Sequence, residues 1–289
     1  MVLVGKAVAY GAVTIVNAIS CGLGAALGVD LKTEATVRLT DEAGHVETKI
    51  LSDPEESPIL VEKAINRVLR RFKLEYKYGA YVETESGIPI ARGLKSSSAA
   101  ANAVTLAAIA AIGKEADDLT VVKLGVDAAI DAKVTITGAF DDACASYFGN
   151  IVVTENYKRK LLKQFDAGDY PVLIHVPSQK AYTAKSDVGK MALIAKEAKA
   201  LHRLALSGEY WSAMTLNGFA YSAALEFDTK IAVDALAAGA LAAGLSGKGP
   251  AIAAVVPEEK VKAVKDAWRR YGGDIIETRI NHKKAHIML

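Results

Sequence analysis

Residues 87–113 read GIPIARGLKSSSAAANAVTLAAIAAIG. Pro89 and Gly93 favour a loop, the three serines at 96–98 supply hydroxyls and helix N-caps, and a helix of small apolar residues runs to Gly113. The start of such a helix presents unpaired N–H groups and the positive end of a helix dipole, which suit a phosphate. The stretch therefore predicts an anion site, to which Lys95 adds a mobile positive charge.

Two alternatives compete with this interpretation. A Walker A loop has four residues between its first glycine and a Gly-Lys-Ser/Thr triplet. Here five residues separate Gly87 from Gly93, and Leu94 separates Gly93 from Lys95, so only the composition is shared. The second alternative is an ordinary capped helix in the core. Three consecutive serines are more than a cap requires, and they favour the phosphate loop.

The loop also carries a family resemblance. Pro-x-x-x-Gly-Leu-x-Ser-Ser at 89–97 resembles the phosphate loop of the GHMP small-molecule kinases. Residues 5–18, 93–99 and 137–146 look like the archaeal shikimate kinases within that superfamily, and residues 246–251 resemble its third, glycine-rich motif. These matches follow the family order and span nearly the whole chain.

The resemblance implies an α+β protein with the GHMP kinase fold. Residues 1–156 would form an ATP-binding N-terminal domain like domain 2 of ribosomal protein S5, and residues 157–289 a ferredoxin-like C-terminal domain. A length of 289 residues independently favours two domains. The polar run at 155–163 is the best candidate for the junction.

The resemblance also implies a function, the phosphorylation of the 3-hydroxyl of shikimate with ATP and Mg²⁺ on the route to chorismate and the aromatic amino acids. Homoserine, mevalonate and pantoate are the alternative acceptors. Lys95, where the superfamily usually has glycine, and residues 137–143 favour shikimate. Two other classes stay open: a nucleic-acid-binding protein, and a pseudokinase that binds ATP without turnover.

The composition of the chain indicates which kinds of partner and which cellular compartment to expect. A net charge of +2 with 24% charged residues gives no large electrostatic field of one sign, which argues against binding to nucleic acid or a membrane surface. No apolar run reaches the ~18 residues of a membrane span, and the apolar first twenty residues lack the charged start of a signal peptide. Cys21 and Cys144 are too few for a disulfide framework. We expect a cytoplasmic monomer or homodimer whose partners are ATP and a small-molecule substrate.

Hydrophobic periodicity predicts the elements around the motifs. In the first half we expect strands at 2–10, 76–83 and 151–154, a hairpin of 33–40 with 45–50, and helices from 57 and over 118–133. In the second half we expect strands at 171–176, 251–256 and 274–279, and helices at 184–207, 209–225, 229–243 and 258–271.

Phosphoryl transfer needs a phosphate cradle, Mg²⁺, a positive group and a carboxylate that orients or deprotonates the acceptor hydroxyl. Asp141 and Asp142 are adjacent carboxylates in apolar company, which is costly unless they have partners. The resemblance implies that Asp141 is the catalytic base, with Asp142 as the fallback; the alternative is a pair of helix N-caps. Lys6 aligns with a lysine that some GHMP kinases place beside this aspartate, where it would lower the carboxyl pKa.

The remaining candidates bind ATP, the metal or the acceptor. The resemblance implies ATP contacts along one stretch, Pro89, Ile90, Ala91, Arg92, Gly93, Leu94, Lys95, Ser96, Ser97, Ser98 and Ala99. Ser97 matches a serine that helps to hold Mg²⁺, and Asp131 is a candidate acidic ligand, although solvated helix charge is the favoured interpretation. Acceptor contacts are assigned to five residues, Thr14, Asn17, Gly247, Lys248 and Gly249.

Overall fold

The computed structural model describes residues 3–90, 92–135, 138–177 and 188–288, and they form two antiparallel-rich sheets with helices. The first part of the chain contains β1 (Val4–Val16), β2 (Leu23–Thr40), β3 (Val46–Ile50), α1 (Ile59–Arg71), β4 (Gly79–Ser86), α2 (Ser96–Ala111), α3 (Asp118–Asp131), α4 (Phe140–Phe148), β5 (Ile151–Glu155) and β6 (Lys160–Phe165). The second part contains β7 (Pro171–Val176), α5 (Val188–Ala192), α6 (Ala195–Ser207), α7 (Tyr210–Leu225), α8 (Lys230–Ala237), β8 (Ala242–Leu245), β9 (Ile252–Val255), α9 (Val261–Trp268), β10 (Asp274–Arg279) and β11 (His286–Ile287). Short 3₁₀ turns precede β2 and flank α9.

The first sheet has seven strands in the order β11-β1-β2-β4-β3, with β5 and β6 continuing from β2. Residues 33–40 pair antiparallel with β4, and β3 then pairs with β4 in parallel. The predicted hairpin of 33–40 with 45–50 is therefore wrong, because β4 lies between the two segments. Burial explains the order, since alternate residues of β4 are buried while β3 is partly exposed along its length and occupies the edge.

Helices α1 to α4 pack together on this sheet and enclose its main apolar core. The predicted amphipathic helix is present as α1, which buries Leu60, Ile65 and Leu69 among others. Small residues let α2 and α4 approach the strands closely. A Cβ at Gly24 would lie 2.4 Å from an oxygen of Asp141 near the start of α4, and one at Gly28 would lie 2.8 Å from the backbone just after its end. These two glycines of β2 allow α4 to lie flat on the strand.

The second sheet has four antiparallel strands in the order β10-β7-β9-β8. Numbered from the first strand of this sheet, that order is 4-1-3-2, the ferredoxin-like order expected from the sequence. The predicted helix at 229–243 is too long, because Gly239 has a φ of 104° and residues 242–245 pair with β9 as a strand. Strand pairing here overrides the helical preference of an alanine-rich segment. The predicted helix at 184–207 begins outside the described residues, and its described part divides into α5 and α6.

The boundary between the sheets differs from the predicted division at 156/157. Residues 155–163 include the turn of the β5–β6 hairpin, so the first sheet continues to Phe165. The end of the chain also returns to it, where β11 pairs with β1. One apolar cluster contains Ile15 and Leu27 from the first sheet with Ile174 and Val255 from the second, so the two sheets share a core. Among the described residues, we find no helix with the length and apolar character needed to cross a membrane.

Candidate active site

A cleft of about 180 Å³ lies where the starts of α2 and α4 meet the loop between β8 and β9. The serines at 96–98 line it from α2, Asp141 and Asp142 line it from α4, and residues 247–249 line it from the loop. Most of the residues expected to bind ATP phosphates, to bind the acceptor or to act in catalysis therefore meet in one place.

The phosphate loop is shaped by two residues in the left-handed region. Gly93 has a φ of 82°, and a Cβ there would lie 2.2 Å from the carbonyl oxygen of Ser246, so no larger residue fits. Lys95, with a φ of 64°, is the N-cap of α2 and makes no side-chain cap hydrogen bond among the described residues. The expectation that the serines cap the helix is therefore wrong. The first bond of the helix runs from the Ala99 N–H to Lys95, which leaves three serine amides without an acceptor inside the helix.

The start of α4 has the same backbone form. Gly138 has a φ of 85° and the N-cap Ala139 a φ of 46°, after which the helix begins at Phe140. Asp141 and Asp142 thus lie in the first turn of the helix. The positive end of the helix dipole favours carboxylates at these positions.

Asp141 is only 4% exposed, and its carboxylate is held on two sides. Its Oδ1 accepts a hydrogen bond of 2.7 Å from Nδ2 of Asn156, and its backbone N–H donates to Oδ1 of Asn156 at 3.2 Å. Its Oδ2 lies against Gly24. Burial, and then the neighbouring Asp142, raise the pKa of Asp141 to about 7, while Lys95 and Asn156 act in the opposite direction.

The second carboxylate is neutralised. Oδ1 of Asp142 lies 3.0 Å from Nζ of Lys95. Lys248 shares the cleft with this pair, and burial followed by repulsion from Lys95 lowers the pKa of Lys248 to about 8. The cleft therefore holds a paired carboxylate, a buried carboxylate and two lysines.

Thr14 and Asn17, at the end of β1, line the cleft but bond to the loop at 246–250. Oγ1 of Thr14 accepts from the Gly247 N–H at 2.9 Å, and Nδ2 of Asn17 donates to the Gly247 carbonyl at 2.8 Å. The hydroxyl of Ser246 donates to the Gly93 carbonyl at 2.7 Å. These bonds join the end of β1, the phosphate loop and the glycine-rich loop into one unit, so Thr14 and Asn17 position the loop that lines the cleft.

Lys6 lies away from the site. It is exposed at the start of β1 opposite Thr36, whereas Thr14, which lines the cleft, is eight residues further along the strand. A strand rises ~3.3 Å per residue, so the two positions are about 26 Å apart. The expectation that Lys6 lies beside Asp141 is wrong, because the direction of the strand carries it away.

Asp131, the candidate acidic Mg²⁺ ligand, lies on the helix surface, as its favoured interpretation as a solvated helix charge implies. Its carboxylate accepts two hydrogen bonds from Arg67, of 2.6 and 2.7 Å, at the partly exposed end of α3. The hydrogen bond from Arg67 is the main reason that the pKa of Asp131 is lowered. The neighbouring Ala129 and Val134 line the cleft, but Asp131 does not. Asp131 is a helix surface charge in an ion pair.

The remaining residues of the predicted ATP stretch support the loop or lie beside it. Leu94 and Ala99 are buried in the core, and Pro89 is half-buried. Nη1 of Arg92 donates to the Pro177 carbonyl at 2.6 Å. Ala91 lies outside the described residues.

A second, more apolar pocket of about 100 Å³ adjoins the phosphate loop. Ile50, Ile59 and Ile90 contribute to its apolar lining, and it shares Ser96 and Ser97 with the cleft. The two pockets therefore lie next to each other at the start of α2. Local sequence does not indicate this pocket, because its walls come from segments far apart along the chain.

Comparison with known proteins places this geometry in a family. The family model described as GHMP kinases N terminal domain matches residues 60–150, and the model described as GHMP kinases C terminal matches residues 192–274. The shikimate kinases of Methanosarcina mazei and Methanosarcina acetivorans are 48% and 49% identical to the chain over 287 residues, which cover 99% of this chain and 97% of each relative. The chain belongs to the GHMP kinases. The resemblance to the archaeal shikimate kinases is confirmed, and membership of a kinase family implies the use of ATP.

Solved structures agree on the fold of this GHMP kinase. A mevalonate kinase superimposes with a TM-score of 0.77 at 18% identity, covering 96% of this chain and 99% of the other. The homoserine kinase of Cytophaga hutchinsonii gives 0.75 at 19% identity, covering 99% and 98%. The fold class predicted from the sequence is confirmed.

Proposed function

We propose that this GHMP kinase transfers the γ-phosphoryl group of ATP to the 3-hydroxyl of shikimate, giving shikimate 3-phosphate and ADP on the route to chorismate and the aromatic amino acids. Relatives named shikimate kinase, 44–49% identical over nearly the whole chain, support this acceptor. The likeness to the mevalonate and homoserine kinases, at 18% and 19% identity, supports the fold alone. The observation that carries the proposal is the buried carboxylate of Asp141 in the same cleft as the open start of α2.

The nucleotide lies around the start of α2, between the two adjacent pockets. Its phosphates bind the free amides and hydroxyls of residues 96–98, where the helix dipole and Lys95 favour negative charge. Its base and ribose occupy the adjoining apolar pocket, which shares Ser96 and Ser97 with the cleft. A bound nucleotide would thus span both pockets.

Mg²⁺ accompanies ATP in this proposal. Protein sites hold it with one or two side-chain oxygens and complete its shell with phosphate and water oxygens. Ser97 lines the cleft and supplies such an oxygen, which fits this need, and no group of three or more His, Cys, Asp or Glu residues forms a metal cluster in the described part of the chain. Mg²⁺ held there would neutralise negative charge on the phosphates.

Asp141 orients the 3-hydroxyl and accepts its proton. As the oxygen forms its bond to the γ-phosphorus, the bond from that phosphorus to the β-γ bridging oxygen breaks and ADP leaves. A pKa near 7 is suited to a base at neutral pH, whereas Asp142 is already paired with Lys95. Lys95 and Lys248 supply the positive charge that the sequence had assigned to Lys6.

The acceptor lies against the loop at 247–249, which Thr14 and Asn17 hold in place. The test is a coupled ADP-release assay with shikimate, homoserine, mevalonate and pantoate as acceptors. We expect turnover with shikimate to exceed that with the other three by at least about 100-fold, the discrimination that hydrogen bonding to substrate hydroxyls provides. Preference for another acceptor would overturn the substrate, and ATP binding without any turnover would indicate a pseudokinase.

A further inference from the structure

Asn156, which follows β5, is 2% exposed and contacts Asp141 through both ends of its amide. Its Nδ2 donates to the carboxylate of Asp141 at 2.7 Å, and its Oδ1 accepts from the backbone N–H of Asp141 at 3.2 Å. The same side chain therefore binds the carboxylate and fills one of the open donor positions at the start of α4.

The orientation of this amide is fixed by a third residue. Oγ1 of Thr154 donates to Oδ1 of Asn156 at 2.7 Å, so this oxygen accepts two hydrogen bonds. A reversed amide would place its NH₂ group against the backbone N–H of Asp141 and its oxygen against the Asp141 carboxylate. Only the observed orientation satisfies all of these groups.

The backbone of Asn156 is anchored as firmly as its side chain. Its N–H donates to the Gly22 carbonyl at 2.7 Å, and its carbonyl accepts from the Arg159 N–H at 3.0 Å. Across the carboxylate, Gly24 leaves space for the second oxygen of Asp141. The carboxylate is thereby confined between a fixed amide and a strand backbone.

We propose that Asn156 is a positioning residue for phosphoryl transfer, which fixes the rotamer of Asp141, with Thr154 fixing the amide in turn. The inference rests on the proposed function, because it takes Asp141 as the base. Hydrogen bonding of a buried carboxylate to a fixed donor restricts its geometry and stabilises its charge.

Several titratable groups face Asp141. Asp142 and Cys144 lie on its own helix, Lys95 precedes α2, and Tyr221 comes from α7. Burial and Asp142 raise the pKa of Asp141, while Lys95 and the Asn156 hydrogen bond lower it. Loss of the amide therefore moves this pKa upward, so a larger share of the base is protonated at neutral pH.

The test compares Asn156→Ala with the wild-type full-length chain, using ATP, Mg²⁺ and shikimate across pH 5.5 to 9. We expect the acid limb of kcat/KM to move up by about one pH unit and kcat to fall about 10- to 100-fold, by analogy with lost supporting hydrogen bonds elsewhere. The KM for ATP should change by less than about twofold, because Asn156 lies outside the phosphate loop. Asn66→Ala on α1 is the matched control, with an unchanged profile.

A second pair of variants tests the positioning role of Asn156 if Asn156→Ala does not fold. Thr154→Val removes the hydroxyl and keeps the shape, whereas Thr154→Ser keeps the hydroxyl. We expect the valine variant to shift the acid limb in the same direction by a smaller amount and the serine variant to restore the wild-type limb. Equal profiles for valine and serine, or a lower rate with an unmoved limb, would overturn the inference.

A direct titration separates this inference from the proposed function. The carboxyl carbon of Asp141, assigned with Asp141→Asn, is followed by ¹³C NMR in the protein without substrates. We expect its titration midpoint to rise in Asn156→Ala whatever the acceptor proves to be. An unchanged midpoint contradicts the role of Asn156, while failure of the acceptor panel with a shifted midpoint contradicts only the proposed function.

Discussion

The starts of α2 and α4 share a backbone form and differ in chemistry. Each follows a glycine with φ above 80°, and each has an N-cap in the left-handed region, Lys95 for α2 and Ala139 for α4. Three serines follow in α2, with no acidic residue in its first turn, whereas two aspartates follow in α4. One helix start is open to an anion from a ligand, and the other carries its own anions.

The difference divides the work of phosphoryl transfer between two positive helix ends. The start of α2 uses its free amides for phosphate, while the start of α4 favours the charge of a base and has one amide occupied by Asn156. The Lys95–Asp142 pair joins them at 3.0 Å. Substitutions at and around the two helix starts test this division of work.

The largest effect is expected for Asp141→Asn. The amide keeps the shape and can still accept from Asn156, but it cannot take the proton of the acceptor. General-base removal typically costs 10²- to 10⁴-fold, so we expect kcat to fall by about 10³-fold or more while ATP binding is retained. Single-turnover assays with calorimetric ATP titration measure both. Asp41→Asn, in an exposed turn, is the control, and turnover within tenfold of wild type would reject Asp141 as the base.

The same substitution is expected to stabilise the fold. Folding raises the pKa of Asp141 from an ordinary value near 3.8 to about 7, so the folded protein takes up a proton between these values. Stability therefore falls as pH rises through this window, and the penalty is complete above pH 7. At pH 8 we expect Asp141→Asn to raise the free energy of unfolding by about 1–3 kcal/mol, with a smaller gain at pH 5. An equal effect at both pH values would contradict the buried charge.

Gly24→Ala tests the space behind the base. Its Cβ would lie 2.4 Å from Oδ2 of Asp141, so the carboxylate has to move. Misplacement of a reacting group by about 1 Å costs about 100-fold in rate, and we expect that loss in kcat with little change in the KM for ATP. Gly87→Ala is the matched control, because a Cβ there meets its nearest neighbour at 3.9 Å. Equal rates for the two variants would show that the carboxylate has room to shift.

Lys248→Arg is expected to have a smaller effect on the reaction, seen as a change in the dependence of the rate on pH. The pKa of Lys248 is lowered to about 8, so its charge is lost as pH rises through that value and the rate should decline there. A guanidinium stays charged, so the alkaline limb should move up by at least about one pH unit. Lys230→Arg, on the exposed surface, should leave the limb in place. An alkaline limb near 8 in both variants would assign it to another group.

Much of the fold and part of the site could be predicted from local sequence. Periodicity predicted α1, β7 and β10, the residues at 87–113 predicted the phosphate loop, and the family resemblance implied a carboxylate facing it. The order of the strands could not be predicted from local sequence, because whether β4 lies between β2 and β3 depends on burial across the whole sheet. The role of Asn156 could not be predicted for the same reason, because it depends on where β5 ends relative to α4. In the sequence, Asn156 is one polar residue in a polar run.

Lys6→Met is expected to have the smallest effect. It tests whether the positive charge of the site comes from Lys248, which lines the cleft, or from Lys6, as the family resemblance implies. Lys6 is exposed about 26 Å along β1 from Thr14, beyond the reach of a lysine side chain of about 6 Å. We expect kcat and both KM values within about twofold of wild type, whereas Lys248→Met should lower kcat about 100-fold, as for loss of one charge-stabilising group. Steady-state kinetics of the two variants side by side measure the contrast. A large loss for Lys6→Met with an intact Lys248→Met would reverse the assignment and require the start of β1 to approach the two helix starts during turnover.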